Sequence, residues 1–337
     1  NSAVRASTLR ALMAGERGLV PGTALPDDDQ ERRDPQRDAE HFAGRPGYDR
    51  HFLQVADVPL PKLTAQLAIA RPSDATDARP HELRYRHFSV LYSAAQKMPA
   101  LCALNIDGGQ MHPVKRRSIA WGKDMRLPET IQLGRDDYGD PEIDRGHLIR
   151  RAATNWGPDA DIARQSDADS FHYTVCAPQH AGLNRSHAMW LGLEDYILSS
   201  TITHGFRASV MSGPVFAPDD PPLASTGATI PMAYWKVVIM LAEGEDEVLR
   251  PHATAYVLSQ GPLIHDMLDR RGNSESVEGF AFGAFRTFQV RLDDLSETLG
   301  YDFGDLPGYD PLARRVDRSE AAVLPIRPID SPEDIVL

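Results

Sequence analysis

The sequence is short of the features that mark several large classes of protein. It has two cysteines, Cys102 and Cys176, in 337 residues, too few for a disulfide-stapled scaffold. Each sits in an apolar run, at 100–104 and 173–177. Both read as free thiols in buried strands, where cysteine packs as a small apolar side chain. A disulfide would need the two strands to be neighbours in an oxidising compartment. This usage leans the expected location towards the cytoplasm and leaves a secreted or periplasmic one open. No apolar run approaches the ~18 residues of a membrane span, so no membrane partner is expected. Residues 8–13 are too short and too charged for the apolar core of a signal peptide. Asn1 in place of Met leads us to expect a piece of a longer polypeptide, with prior removal of a signal left open. There is no P-loop and no dinucleotide fingerprint. Ser212-Gly213-Pro214 lacks the pattern of a nucleophile elbow. His172, His180 and His187 are spaced too widely for the close pairs of a zinc site. No internal repeat is visible.

Positive charge is also scarce. Lys and Arg number 36 against 48 Asp and Glu, a net charge of −12. Taken globally, that argues against a nucleic-acid partner. The distribution changes the reading. Residues 27–40 hold seven acids and three arginines, net −4, and residues 293–337 hold eleven acids and four arginines, net −7. Residues 110–157 hold nine basic and seven acidic side chains, net +2. The local field at a cleft steers a polyanion, whatever the sum over the molecule. The acidic segments elsewhere serve solubility.

What is present is a globular composition, 42% apolar and 25% charged, in a length that fits one large domain or two small ones. Residues 1–45 read as an N-terminal arm: an amphipathic helix over 4–19, then a polar Asp/Arg/Pro-rich run over 26–44 that reads as linker or extended arm. Residues 46–310 read as the folded domain and 311–337 as an acidic C-terminal tail. The domain reads α+β, with strands outnumbering helices. Strands are expected over 100–106, 171–177, 207–211, 234–240, 252–258 and 285–291. Residues 87–93 read as a strand running into a short helix. A helix is expected over 182–198, and a second, short one at 295–299 stopped by Gly300.

The chemistry is concentrated at Asp144-Arg145-Gly146-His147. Imidazole is the side chain best suited to take a proton from water near neutral pH, which makes His147 a candidate general base. A guanidinium can clamp a phosphate and offset charge building on it, the role expected of Arg145. Glycine permits a close backbone approach or a sharp turn. Asp144 would orient the backbone or Arg145. Together these groups suit hydrolysis of a phosphodiester. Arg116 and Arg117, in the basic run before Trp121, are candidate phosphate ligands from the preceding strand pair. Arg150, Arg151 and Asn155 follow the motif and Arg185 lies farther on; all four are candidates to line a groove for the substrate.

Downstream come Ala177-Pro178-Gln179-His180 and Leu183-Asn184, then Trp190 and Glu194, Ser212-Gly213-Pro214, and Ile230-Pro231 with Ala233-Tyr234-Trp235-Lys236-Val237. In this order the segments resemble the DNA/RNA non-specific endonuclease family, which includes secreted bacterial nucleases and the mitochondrial endonuclease G. The resemblance runs from about Gly47 to Gly308. It implies a ββα-metal nuclease fold, with a central, mainly antiparallel sheet flanked by helices. It implies a Mg²⁺-dependent, sugar-non-specific endonuclease acting on DNA, RNA or both, with Mn²⁺ able to substitute. It implies that Asn184 supplies the metal's direct protein ligand, with waters completing the shell, and that Glu194 holds metal-bound water. Mg²⁺ suits such a shell because it takes octahedral oxygen ligands and gives up water reluctantly. The competing reading of Asn184 is a helix cap.

Three departures from the family pattern bear on these expectations. Asn184 and Glu194 are ten residues apart where the family has eight, so we expect a widened loop or bulge over 185–188, with Asp195 as an alternative to Glu194. Leu198 stands where some members carry a phosphate-facing arginine. Cys176 stands where members often have asparagine. A nuclease of this kind needs control inside a cell. The expected context is therefore a regulated effector module of bacterial antiviral defence or toxin type, with a regulatory domain or protein partner and a homodimer as an option. The alternative is a nuclease-like nucleic-acid-binding protein with weakened catalysis.

Overall fold

The computed structural model describes residues 34–115, 119–184, 205–224, 226–243, 247–270, 286–316, 326–329 and 334–335. Its frame is an eight-stranded sheet of β2 (Glu82–Arg84), β3 (Phe88–Ser93), β4 (Met98–Asp107), β8 (Arg207–Val215), β9 (Ala233–Glu243), β10 (Leu249–Ser259), β11 (Arg286–Val290) and β12 (Ile326–Ile329). The spatial order is β12-β11-β10-β9-β8-β4-β3-β2, and every neighbouring pair is antiparallel. With helices Ala160–Asp169 (α1), Ala181–Asn184 (α2), Gly261–Arg270 (α3), Leu292–Leu299 (α4) and Pro311–Val316 (α5), the fold is α+β.

Strand alternation divides the core into two layers. From β4, Met98, Cys102, Leu104 and Ile106 enter one layer, while Leu101 and Ala103 enter the other. Strand β9 divides likewise: Tyr234 and Val238 face the first layer, and Trp235, Val237 and Ile239 the second. All ten residues of β4 are buried, because both faces of this central strand are covered. The first layer carries Ile143, Leu148, Val175, Ala177 and Leu183, and so supports the candidate site. The second is closed by Tyr48, Leu53 and Val58 and by Leu292 and Leu295 of α4. Helix α4 stops where expected: Gly300 takes φ 65°, and the amides of Gly300 and Tyr301 return to Glu297 and Ser296.

Both ends of the described chain join this body. Phe42 is buried against Tyr85, and Arg45 pairs with Asp169 at 2.7 Å. Strand β1 (Gln36–Arg37) runs parallel to β5 (Lys123–Asp124). Residues 34–45 thus lie along the body as an arm anchored at Phe42 and Arg45. The expected C-terminal tail likewise supplies α5 and the edge strand β12. Asp310 ties α5 to the body by accepting from the amides of Leu292 and Leu312, at 2.7 and 2.8 Å. An edge position tolerates Pro328, whose missing N–H would break an interior ladder.

Residues 88–93 form a strand throughout, with a register shift between Leu91 and Tyr92. The helix-favouring 94–97 segment is instead the turn to β4, with Lys97 at φ 54°. Pairing with β4 outweighs the local preference.

His87 immediately precedes β3, at φ 71°. Its ring stacks on Trp156 at 3.5 Å, and Nε2 donates to the Trp156 carbonyl at 2.8 Å. Burial pushes this imidazole down to about 4. The unfolded chain therefore binds a proton at higher pH than the folded one. The resulting stability, about 3 kcal/mol, is complete above the unfolded pKa near 6.5 and is lost as pH falls towards 4. We expect His87→Asn, a residue that tolerates positive φ, to flatten this part of the profile. Urea unfolding of both proteins at pH 7, 5.5 and 4 measures it; equal pH slopes would refute the assignment.

Candidate active site

The candidate site is built on a two-stranded antiparallel unit outside the main sheet. Strand β6 (Ile143–His147) pairs with β7 (Cys176–His180), placing Asp144 opposite Gln179, Arg145 opposite Pro178 and His147 opposite Cys176. Helix α2 follows β7 directly and carries Asn184, the last residue described in this stretch. The order is strand, strand, helix: a ββα unit. Nothing in the polar run Asp-Arg-Gly-His announces a strand. It becomes one by pairing. A Cβ at Gly146 would lie 2.1 Å from Gln179 Cδ, so the Gln179 side chain occupies the space that glycine leaves. Residues 173–175, expected as strand, form a 3₁₀ turn, and the strand begins at Cys176. The amide of Tyr173 is drawn aside to the Gly122 carbonyl at 3.0 Å.

The main sheet pins this unit through the segments that carried the sequence resemblance. Tyr234 Oη donates to the Pro178 carbonyl at 2.5 Å. Ser212 Oγ donates to the Leu148 carbonyl at 2.6 Å, fixing the chain just past His147. Gly213 lets β8 lie against β4, since a Cβ there would stand 2.3 Å from the Ala100 carbonyl oxygen. Gln260, fully buried, accepts from the His180 amide at 2.8 Å and donates to the Pro231 carbonyl at 2.5 Å. The sequence pointed to the 212–214 and 233–237 segments without showing what they do. It gave no signal for Gln260.

Asp144 and Asn184 are brought together: Asn184 Nδ2 donates to Asp144 Oδ2 at 2.9 Å. The amide nitrogen is engaged by the carboxylate, which leaves the amide oxygen as the acceptor end of a solvent-exposed side chain. His180 Nδ1 accepts from the Gly182 amide at 3.0 Å and so holds the start of α2. Burial pushes the His180 imidazole down, which favours this neutral, accepting ring, while Glu142 opposes the shift.

Arg145 and His147, two apart on one strand, project to the same face. The His147 ring lies 4.7 Å from Trp121 and 5.5 Å from Phe171 between centroids. Arg145 Cζ stands 5.5 Å from the Trp121 ring. Tyr173, beside them, donates to Asp34 Oδ1 at 3.0 Å. Burial and that carboxylate push the Tyr173 phenol up, and Arg145 pulls it back. Asp34 and Trp121 were missed as neighbours of the site, since both lie far from the motif in sequence.

The remaining expected residues divide. Arg150 is half-buried, immediately before the 3₁₀ turn Arg151–Thr154. Asn155 is only 5% exposed, and its carbonyl accepts from the His112 amide at 2.8 Å. Turning the amide so that its nitrogen replaces its oxygen would let the side chain donate to Asp167 Oδ1 and the Arg151 carbonyl, each at 3.2 Å. So turned, Asn155 braces the Arg151–Asp167 ion pair; buried, it does not line a groove, a correction to the sequence reading. Arg116, Arg117, Arg185 and Glu194 lie outside the described residues, as do Asp195, Leu198 and the bulge expected over 185–188.

An antiparallel sheet that pins a ββα unit is the architecture the sequence resemblance implied. The chain belongs to the DNA/RNA non-specific endonuclease family, whose match spans residues 66–309. It is 35% identical over 289 residues to uncharacterized protein y4fB of Sinorhizobium fredii (strain NBRC 101917 / NGR234). That alignment covers 81% of this chain and 41% of the relative, so the chain spans about two fifths of that protein's length. Among solved structures it is similar to a chain in the crystal structure of the EndoG/EndoGI complex. There the identity is 17% and the TM-score 0.49, covering 67% of this chain and 86% of that one.

Proposed function

We propose that the protein is a Mg²⁺-dependent, sugar-non-specific endonuclease that hydrolyses phosphodiester bonds of DNA and RNA. The observation that carries this reading is the Asp144–Asn184 hydrogen bond across the ββα unit, in a chain of the DNA/RNA non-specific endonuclease family. It joins the residues of the first motif to those of the second, with His147 and Arg145 on the same short strand. In this reading neutral His147 takes the proton from the attacking water, and Arg145 binds the phosphate and offsets its developing charge. Contact to the backbone, common to every sequence and to both sugars, requires few base contacts.

The donor set fits a hard divalent cation. Among the described residues no three His, Cys, Asp or Glu side chains converge on a common point. A protein shell of one amide oxygen, at Asn184, leaves the water-rich coordination that Mg²⁺ prefers. Asp144 would hold the Asn184 amide in the orientation that presents its oxygen. A cation bound there would stabilise the leaving oxygen and the charge on the phosphoryl group. Glu194 would hold water in its shell. Arg116, Arg117, Arg150 and Arg185 would extend the phosphate contacts. The setting we propose is a regulated effector nuclease of bacterial defence or toxin type, controlled by a further domain or protein partner.

EDTA is expected to stop cleavage, and Mg²⁺ or Mn²⁺ to restore it. Asn184→Ala should raise the metal concentration needed for half-maximal rate or abolish activity. Anomalous scattering from a Mn²⁺-soaked crystal should place density at the Asn184 amide oxygen with water in the rest of the shell. Density ringed by histidine or cysteine ligands would overturn this assignment.

A further inference from the structure

Trp121 is held more firmly than a residue between motifs needs to be. The chain just after it is clamped on both sides. On one side the Gly122 amide donates to the Phe171 carbonyl at 2.9 Å, and the Tyr173 amide donates to the Gly122 carbonyl at 3.0 Å. On the other, the amides of Lys123 and Met125 donate to the carbonyls of Pro35 and Arg37, at 2.8 and 2.7 Å. A Cβ at Gly122 would stand 3.0 Å from the Pro35 carbonyl oxygen, so glycine suits this close approach. The ledge therefore holds the indole in one place.

That place touches both groups the reaction uses. The indole lies 4.7 Å from the His147 ring, tilted by 45°. The Arg145 guanidinium carbon stands 5.5 Å from the indole centroid, within cation–π range. Phe171, 5.6 Å away and edge-on, and Tyr173, 5.9 Å away, back the indole. Phe171 also meets His147 edge-on at 5.5 Å. An imidazole turns easily about its outer torsion, and a long guanidinium side chain has many rotamers. One rigid ring in contact with both restricts both.

We propose that Trp121 is a positioning residue that holds the His147 imidazole and the Arg145 guanidinium side by side for phosphodiester cleavage. The assignment rests on the nuclease reading above. Two different losses follow if the indole is removed. A misplaced base slows the chemical step, and displacement by about 1 Å can cost 10²-fold in rate. A loosened guanidinium weakens the hold on substrate. The aromatic face is what matters for Arg145, so phenylalanine should retain what leucine loses.

The test compares wild type, Trp121→Phe and Trp121→Leu in steady-state cleavage of an oligonucleotide across pH, with the folded fraction measured by circular dichroism. We expect Trp121→Leu to lower kcat by about 10–100-fold, raise KM, and displace the acidic limb of the pH–rate profile. Trp121→Phe should restore most of kcat and return that limb to its wild-type position. A residue that only fills space would change the folded fraction and leave kcat per folded molecule and the pH limb unchanged. That result, in an enzyme whose wild type cleaves, overturns the Trp121 assignment alone. Wild type that cleaves nothing while folded and supplied with metal overturns the nuclease reading itself. Should Trp121→Leu fail to fold, Trp121→Met carries the same comparison.

Discussion

Replacing His147 with alanine is expected to lower the cleavage rate by about 10²–10⁴-fold, the usual cost of losing a general base. Folding and nucleic-acid binding should survive. The imidazole is half-buried and contacts Trp121 and Phe171 at the edge of the unit. The apolar support beneath β6 comes from Ile143 and Leu148. Arg145 remains to hold phosphate. The loss should fall on kcat with little change in affinity for an uncleaved phosphorothioate oligonucleotide. Near-wild-type turnover in a preparation free of other nucleases would remove His147 from the mechanism.

The largest effect on stability is expected at Arg126, which links the N-terminal segment to the ledge beneath Trp121. Arg126 is 2% exposed and Asp124 fully buried. The guanidinium grips the carboxylate from two nitrogens: Nε lies 3.0 Å from Oδ1 and Nη2 lies 2.7 Å from Oδ2. Nη1 donates to the Arg84 carbonyl at 2.9 Å. The planar group also stacks 3.9 Å over Phe42, and the Tyr85 hydroxyl donates to Asp124 at 2.5 Å. Burial works against the guanidinium charge, yet Asp124 holds its pKa above the ordinary value. Arg126→Met would strand the Asp124 carboxylate inside the protein, at a cost of about 3–5 kcal/mol. Removing both charges, as Asp124→Leu with Arg126→Met, should recover much of that loss, because a buried pair costs desolvation to maintain. Urea denaturation reads both. A loss below about 1 kcal/mol in the single variant would mean that water reaches the pair.

Much of the frame was legible because it follows simple alternation. Strands β4, β8, β9 and β10 lie where apolar and β-branched residues recur, and α4 ends at the glycine that stops it. The candidate site was legible as chemistry and not as structure. Asp144 to His147 carry no apolar rhythm, and their strand exists by pairing with Cys176–His180, a long-range fact. Helix α1 was not read at all. Its buried face includes Ser166, Asp167 and Asp169 as well as Ala163, and those acids are matched by Arg151 and Arg45 from distant segments. Pairing of that kind leaves no periodic trace. Helix α3, opened by Gly261-Pro262, was hidden behind residues that usually mark a loop. The polar run at 34–45 looked like linker or arm because its attachment rests on one aromatic, Phe42, the Arg45–Asp169 ion pair and backbone pairing with 123–125, none of which leaves an apolar pattern. Asn155 looked like a groove residue from its nearness to the motif, and burial turned it inward. Trp121 gave no signal beyond being a tryptophan after a basic run.

The most direct test of the account uses circular substrates, which have no ends for an exonuclease. Purified protein would be given supercoiled plasmid and circular RNA with Mg²⁺, beside the same reactions in EDTA. The account predicts that both circles are opened and then degraded, in the Mg²⁺ reactions alone. Circles left intact by folded protein that nevertheless binds them would contradict it, and would mark the ββα unit as a nucleic-acid-binding site without cleavage.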